Sequence, residues 1–472
     1  MSAAVVVGSG PNGLVCAAHL AAAGVEVTVI EANADVGGGL RSAELTVPGL
    51  LHDLCSGFHP TSVGMPSLGG LGLERHGLEW LWPEVDLAHP LDGGRGAAMR
   101  RSLAATAAGL GADGKAWERL FGPASRGFPA LAEDIMRPLL HLPRHPLRLA
   151  RFGIPALAPA TLVARGFDRE EAKALFGGVA AHSFAPLARP LSAAVGMALI
   201  SAGHSGGWPV ARGGSGAIAA ALAAALRERG GRIETGRPVR SLAELPAADA
   251  VVLDLAPAAV ADLAGDRLPA RVARAYRRYR RGPGAFKLDL AVQGEVPWAY
   301  GPARRAGTVH VAGSLAELVA AEREVNRGRM PARPFVLVGQ QHLADPGRSA
   351  GDVHPLWAYA HVPAGYEGDA TEAVLAQIER FAPGLRERIV ATAVRGPAQI
   401  EAENANFAGG DIATGANDPW QTLVRPRLAL DPYATGIPGV YLCSAATPPG
   451  AGAHGMCGYN AARRVIAALG AG

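Results

Sequence analysis

The stretch Ala3-Ala4-Val5-Val6-Val7-Gly8-Ser9-Gly10-Pro11-Asn12-Gly13 continues through the small-residue run Leu14 to Ala23 and closes on Val25-Glu26-Val27-Thr28-Val29-Ile30-Glu31. An apolar strand, a G-x-G-x-x-G turn, a helix and a second strand ending in an acid form the βαβ pattern of a dinucleotide site. Gly8 allows the tight turn, Gly10 lets the backbone approach a pyrophosphate, and Gly13 brings the helix close to the strand. The helix that starts at Pro11 and Asn12 offers its free N–H groups, from Asn12 on, and the positive end of its dipole to phosphates. Glu31 is placed to accept hydrogen bonds from a ribose. Its charge disfavours a 2′-phosphate, so the pattern predicts adenosine carried as FAD or NAD.

A second glycine cluster follows, with residues 32 to 42 reading A-N-A-D-V-G-G-G-L-R-S. This E-x5-G-G-x-x-R-S arrangement resembles the extended fingerprint of the FAD-dependent amine oxidase and phytoene desaturase superfamily. The resemblance implies FAD rather than NAD, with Ala32 beside the adenosine. It puts Gly38, Gly39 and Leu40 under the diphosphate and Arg41 where it helps neutralise it. At the other end, the β-rich run Gly439 to Cys443 leads into Ser444-Ala445-Ala446-Thr447-Pro448-Pro449-Gly450-Ala451-Gly452-Ala453-His454-Gly455-Met456 and an alanine-rich helix to Leu469. A strand, a glycine-rich crossing and a helix predict a second helix N-terminus against the cofactor. Its N–H groups around Gly455 and Met456 would suit the negative charge of a reduced flavin.

That C-terminal segment is similar to the one in phytoene-desaturase-related flavoproteins. Phe407-Ala408-Gly409-Gly410-Asp411-Ile412, Gly415, Gln421 and Arg425-Pro426 resemble a branch of that group known as pyridine nucleotide-disulphide oxidoreductase domain proteins. His310 to Ser314 and Pro331 to Pro334 fit the same branch, whereas Ala451 and Ser444-Ala445 depart from its usual residues while staying small. The resemblance implies an α/β chain: a Rossmann-type FAD-binding domain over 1–100, 205–285 and 395–472, interleaved with an α+β substrate-binding domain over 101–204 and 286–394. It also implies that the backbone at Val239 clasps the adenine, and that Ser444 and Ala445 lie along the flavin. The activity expected is dehydrogenation of a hydrophobic small molecule by hydride transfer to flavin N5. Oxidation of an amine is the alternative in the same class, and a flavin-binding structural or chaperone-like protein the alternative from another. Tyr359, Trp357, Trp420 and Tyr459 are the candidates for an aromatic cage of the amine-oxidase kind.

Other chemistries lack their residues. No second G-x-G-x-x-G follows a strand, so oxygen or a quinone-type acceptor is expected to take the electrons. Cys16, Cys55, Cys443 and Cys457 contain no C-x-x-C pair, which excludes dithiol chemistry of the reductase kind. Cys457, near the terminal helix start, reads as a small residue that fits there, with a lowered thiol pKa as the alternative. No metal is expected, since no H-E-x-x-H or C-x-x-C site occurs, and no G-x-S-x-G suggests hydrolysis. His454, in the C-terminal turn, and His59, in the exposed proline-stopped loop Ser56 to Pro60, are candidates for proton transfer; backbone hydrogen bonding is the alternative for either.

With 49% hydrophobic and 18% charged residues, the 472-residue chain can bury a large two-domain core. A net charge of +4 rests on dispersed arginines with no basic aromatic strip, so no nucleic-acid partner is expected. No leader or spanning segment is apparent, and a cytoplasmic location is expected. The stretch Ile135 to Phe152 interleaves leucine with arginine and proline. It reads as a proline-broken linker, with peripheral contact to an anionic membrane as the alternative.

Overall fold

The computed structural model describes residues 2–138 and 140–471. Its first layer is a five-stranded sheet in the order Val440–Leu442, Ala250–Leu253, Ala3–Val7, Glu26–Ile30, Arg232–Glu234. All of its pairings are parallel. Parallel strands buried on both faces need apolar residues on both; Val5, Val6, Val27, Val29, Val252 and Leu253 are buried accordingly. The helices Pro11–Ala22, Gly216–Glu228 and Met456–Leu469 cover this sheet. Alanine and glycine allow them to lie close together, to the point that a Cβ on Gly458 would fall 1.9 Å from the carbonyl oxygen of Asn12.

The second sheet has seven strands, ordered Ile389–Arg395, Gly284–Gln293, Val353–Val362, Val336–Gly339, Ala306–Val311, Val85–Pro90, Gly96–Met99. It is antiparallel except where Ala306–Val311 runs parallel to Val85–Pro90. A layer of helices, including Gly114–Arg126, Pro146–Ala156, Glu170–Ala180 and Ala193–Gly206, packs on it through Trp117, Phe121, Phe176, Leu337, Trp357 and Tyr359. The structure thus has a Rossmann-type layer and an interleaved α+β layer. The expected boundary at residue 100 is corrected: strands Val85–Pro90 and Gly96–Met99 belong to the second sheet, so the first break lies before Val85. The misplacement arose because these two strands carry no feature that distinguishes them from the preceding segment; only their long-range partner Ala306–Val311 assigns them.

Replacing Gly458 by alanine is expected to lower unfolding free energy by about 1–3 kcal/mol, since the added methyl meets backbone and not a yielding side chain. Urea denaturation measures this. Gly109→Ala, which has open space around the added methyl, should leave the midpoint unchanged or slightly raised.

Candidate functional site

The strand ends and glycine turns of the first layer open into a cavity of about 1120 Å³. Its polar end is built by three segments. The first turn is anchored by Gly8, whose N–H donates to the Ile30 carbonyl at 2.8 Å. Glu31 is buried and closes the loop back: one carboxylate oxygen accepts from the Ser9 N–H at 2.8 Å and hydroxyl at 2.6 Å, the other from the Asn33 N–H at 2.9 Å. The second glycine cluster is tied to the first turn by the Gly37 N–H, which donates to the Ser9 carbonyl at 3.0 Å. Gly38 sits in the left-handed region, at φ 55°, where a Cβ would come 2.9 Å from Gly10 Cα. Two glycine turns in contact leave bare backbone facing the cavity.

The structure brings most of the expected residues to this one surface: Gly8, Gly10, Pro11, Asn12, Glu31, Ala32, Gly38, Gly39, Leu40, Val239, Ser444, Ala445 and His454 all line the cavity. Gly13 stands behind it and donates its N–H to Asp254 at 2.9 Å. Three expectations are corrected. Arg41 lies outside the lining of this cavity, at a small adjoining pocket shared with Gly38, Cys55 and Trp357: its Nε donates to the Gly38 carbonyl at 3.0 Å and its Nη2 to the Glu403 carbonyl at 2.9 Å, so it braces the glycine turn. Gly455 and Met456 lie behind the surface. The Met456 N–H is taken by His454 Nδ1 at 3.0 Å, and Gly455 packs against Val15. His59 is buried, not exposed; its Nε2 bonds the Ser215 hydroxyl at 3.0 Å and its ring packs on Trp80. Cys457 is a small residue buried beneath the turn, and burial pushes its thiol up to about 11, against the alternative of a lowered pKa.

His454 keeps a place on the cavity wall. Burial lowers its pKa to about 4, and its Nδ1 accepts a hydrogen bond, so a neutral ring with the proton on Nε2 is the form present at neutral pH. Of the four aromatic candidates, Trp357 and Tyr359 line the cavity. Their rings meet edge to face, 5.1 Å apart at 84°, and do not form two parallel walls. Trp420 is exposed, and Tyr459 packs on His19.

Three groups escaped the sequence reading. Asp254 follows the strand Ala250–Leu253 and lies under both Gly10 and Gly13; the signal available was an acid at the end of a third parallel strand. Burial, with the Glu31 charge nearby, raises its pKa to about 7. Behind Trp357, Asp289 accepts from Lys287 and, at 2.8 Å, from Arg395, with His52 Nδ1 at 3.5 Å. Burial lowers the Lys287 pKa to about 8 despite that partner, and its ammonium sits 5.5 Å from the Trp357 ring centre. His182 lines the cavity and meets His310 at 3.0 Å, Nε2 to Nε2. Apart from Lys287 and Asp289, two residues apart on one strand, these partners lie more than a hundred residues apart, and no local pattern announces them. Among the described residues, no group of three or more His, Cys, Asp or Glu is arranged to hold a metal ion.

The other end of the cavity is apolar. Leu149, Phe152 and Ala156 from one helix, Ala194, Val195 and Ala198 from another, and Leu337, Trp357 and Tyr359 from the second sheet face one another across it.

A family model described as an NAD(P)-binding Rossmann-like domain matches residues 6–65. No curated protein matches the sequence. Several solved structures share the fold along the whole chain. An oxidoreductase from Methanosarcina mazei is 16% identical, with TM-score 0.61, covering 98% of this chain and 100% of its own. Putrescine oxidase bound to putrescine is 17% identical, with TM-score 0.60 and coverage of 100% and 99%. Cyclohexylamine oxidase from Brevibacterium oxydans is 16% identical, with TM-score 0.59 and coverage of 99% of each chain. At these identities the likeness establishes a common architecture.

The raised pKa of Asp254 has a sign. Its neutral form stabilises the fold fully below the ordinary value of 3.8, and that contribution is lost as pH rises through about 7. In cofactor-free protein, Asp254→Asn should therefore gain more unfolding free energy over wild type at pH 8 than at pH 5, by about 1–3 kcal/mol. Urea titrations at the two pH values decide it, and an equal difference at both would mean that Asp254 titrates normally.

Proposed function

We propose that this protein is an FAD-dependent oxidoreductase that dehydrogenates a hydrophobic small molecule. One observation carries the reading: a single cavity joins a dinucleotide cradle to an apolar chamber. Its volume of about 1120 Å³ exceeds the ~300–1,000 Å³ typical of a site for one small ligand. The cradle fits the adenosine diphosphate half that NAD and FAD have in common, with Glu31 at the ribose and the Gly8, Gly10 and Gly38 backbone along the diphosphate. FAD is favoured because the polar surface continues past the turns to Ser444, Ala445 and His454, where a second ring system has room beside the substrate chamber.

When bound, the flavin supplies a two-electron acceptor: a substrate hydrogen leaves as hydride, a proton leaves the neighbouring carbon, and a C=C bond forms. The chain's residues do the rest. Leu337, Phe152 and Ala198 exclude water and orient an apolar skeleton; Trp357 and Tyr359 bound it on the sheet side. His182, a neutral imidazole at the wall, is the group proposed to take the departing proton; His454, whose Nδ1 already accepts the Met456 N–H, shapes the turn beside it. Oxygen or a quinone-type molecule is the proposed final acceptor. Amine oxidation, the activity named for putrescine oxidase and cyclohexylamine oxidase, is the second reading; Trp357 and Tyr359 on the cavity wall favour it, and their edge-to-face arrangement weighs against it.

Purified protein should be yellow and release FAD on denaturation, and Glu31→Ala should weaken FAD binding by about 1–3 kcal/mol in titration calorimetry, since the turn and the ribose hydroxyls lose their acceptor. Anaerobic bleaching by polyprenes, steroids or cyclic ketones, but not by amines, supports dehydrogenation. A colourless protein that takes up no added FAD overturns the proposal.

A further inference from the structure

The helix Pro146–Ala156 has two apolar faces. Leu149, Phe152 and Ala156 point inward and form cavity wall. Leu147 and Ile154, seven residues apart and so on one stripe, point outward at 86% and 77% exposure. Leu142, just before the helix, is 92% exposed, and Leu140 and Leu162 on either side of it along the chain are exposed as well. An outward stripe of this size in one short stretch has an energetic cost in water that scattered surface leucines do not explain.

The charge around it is one-sided. Residues 136–167 contain Arg137, Arg144, Arg148, Arg151 and Arg165 and no Asp or Glu. Arg144 pairs with Glu133, while Arg148 and Arg151 flank the stripe without an acidic partner among the described residues. A second copy docking through the same face would set these arginines against their own kind. No helix among the described residues is long and apolar enough to cross a membrane. Apolar side chains ringed by arginine suit a helix lying in the headgroup region of an anionic bilayer. Leu139 belongs to this stretch by sequence but lies outside the described residues.

We propose that the outward face of residues 140–162 docks on an anionic lipid surface, placing the chamber wall, the inward face of the same helix, directly above the lipid. The docking stands independently of the oxidoreductase reading. The corollary that a lipophilic substrate passes from the bilayer into the chamber rests on it.

Flotation with phosphatidylglycerol and phosphatidylcholine vesicles tests the docking on the full chain. The protein should rise with phosphatidylglycerol, bind phosphatidylcholine roughly tenfold less, and be partly released when salt goes from about 0.1 to about 0.5 M. Two variants, Leu142→Ser/Leu147→Ser/Ile154→Ser and Arg148→Glu/Arg151→Glu, should each lose roughly tenfold or more of that binding while keeping the wild-type urea midpoint. Wild-type protein that stays at the bottom with phosphatidylglycerol, variants that float as well as wild type, or light scattering that shows the face pairing two copies without vesicle binding each overturn the proposal. Flotation is read without substrate, so its failure leaves the oxidoreductase reading intact, and a protein that takes up no FAD can still float.

Discussion

Everything at the site depends on bare backbone meeting bare backbone around residues 8–13. Gly13 lies so close to the first turn that a Cβ there would fall 2.1 Å from the Gly8 carbonyl, and Gly38 and Gly458 press on Gly10 and Asn12 from either side. Segments from the beginning, the second glycine cluster and the far end of the chain therefore converge where side chains cannot fit. The two carboxylates at the strand ends complete the arrangement. Glu31 accepts from Ser9, and Asp254 accepts from Gly13, so the turn is held by acceptors below it while its open side faces the cavity. The helix start then presents its positive end to the cavity.

That constraint explains what could be read from sequence. Gly8, Gly10, Gly13 and Glu31 lie within one βαβ unit, where local spacing fixes which atoms meet. Arg41 defeated the same logic. Its position beside Gly38 follows from spacing, but its direction is set by the Glu403 carbonyl, 362 residues away. His59 was read as exposed because a Gly-Phe-His-Pro run resembles a surface loop. Ser215 and Trp80, from distant segments, cover it instead. Met456 sits at a helix start as expected, yet its N–H is already used by His454 two residues earlier. In each case residue type and order were legible, whereas orientation depended on a partner supplied by the tertiary fold.

The buried charges behind the aromatic wall show a different economy of structure. Lys287, Asp289 and Arg395 lie on neighbouring strands of the second sheet, paired Lys287 to Arg395 in register. With His52 they form a cluster in which each charge has a partner. Removing one member of such a cluster costs about 3–5 kcal/mol because the others are left buried and unpaired. The cluster therefore fixes the strand that carries Lys287 relative to its neighbour carrying Arg395, and the Lys287 ammonium under the Trp357 ring holds that ring at the cavity edge. The aromatic wall braced in this way faces the helices Pro146–Ala156 and Ala193–Gly206 across the chamber.

The opposite side is of another kind. Pro146–Ala156 is an 11-residue helix begun by one proline and carrying a second, Pro155, near its end. Few of its residues are buried, Phe152 and Ala156 being those that are. A helix this short has little stability of its own in water and depends on what its faces touch. Its inner face packs through Phe152 and Ala156 into the helical core beside the cavity, while Leu147 and Ile154 on its outer face meet solvent. Filling the chamber with an apolar molecule would complete one face, and an apolar surface outside would complete the other.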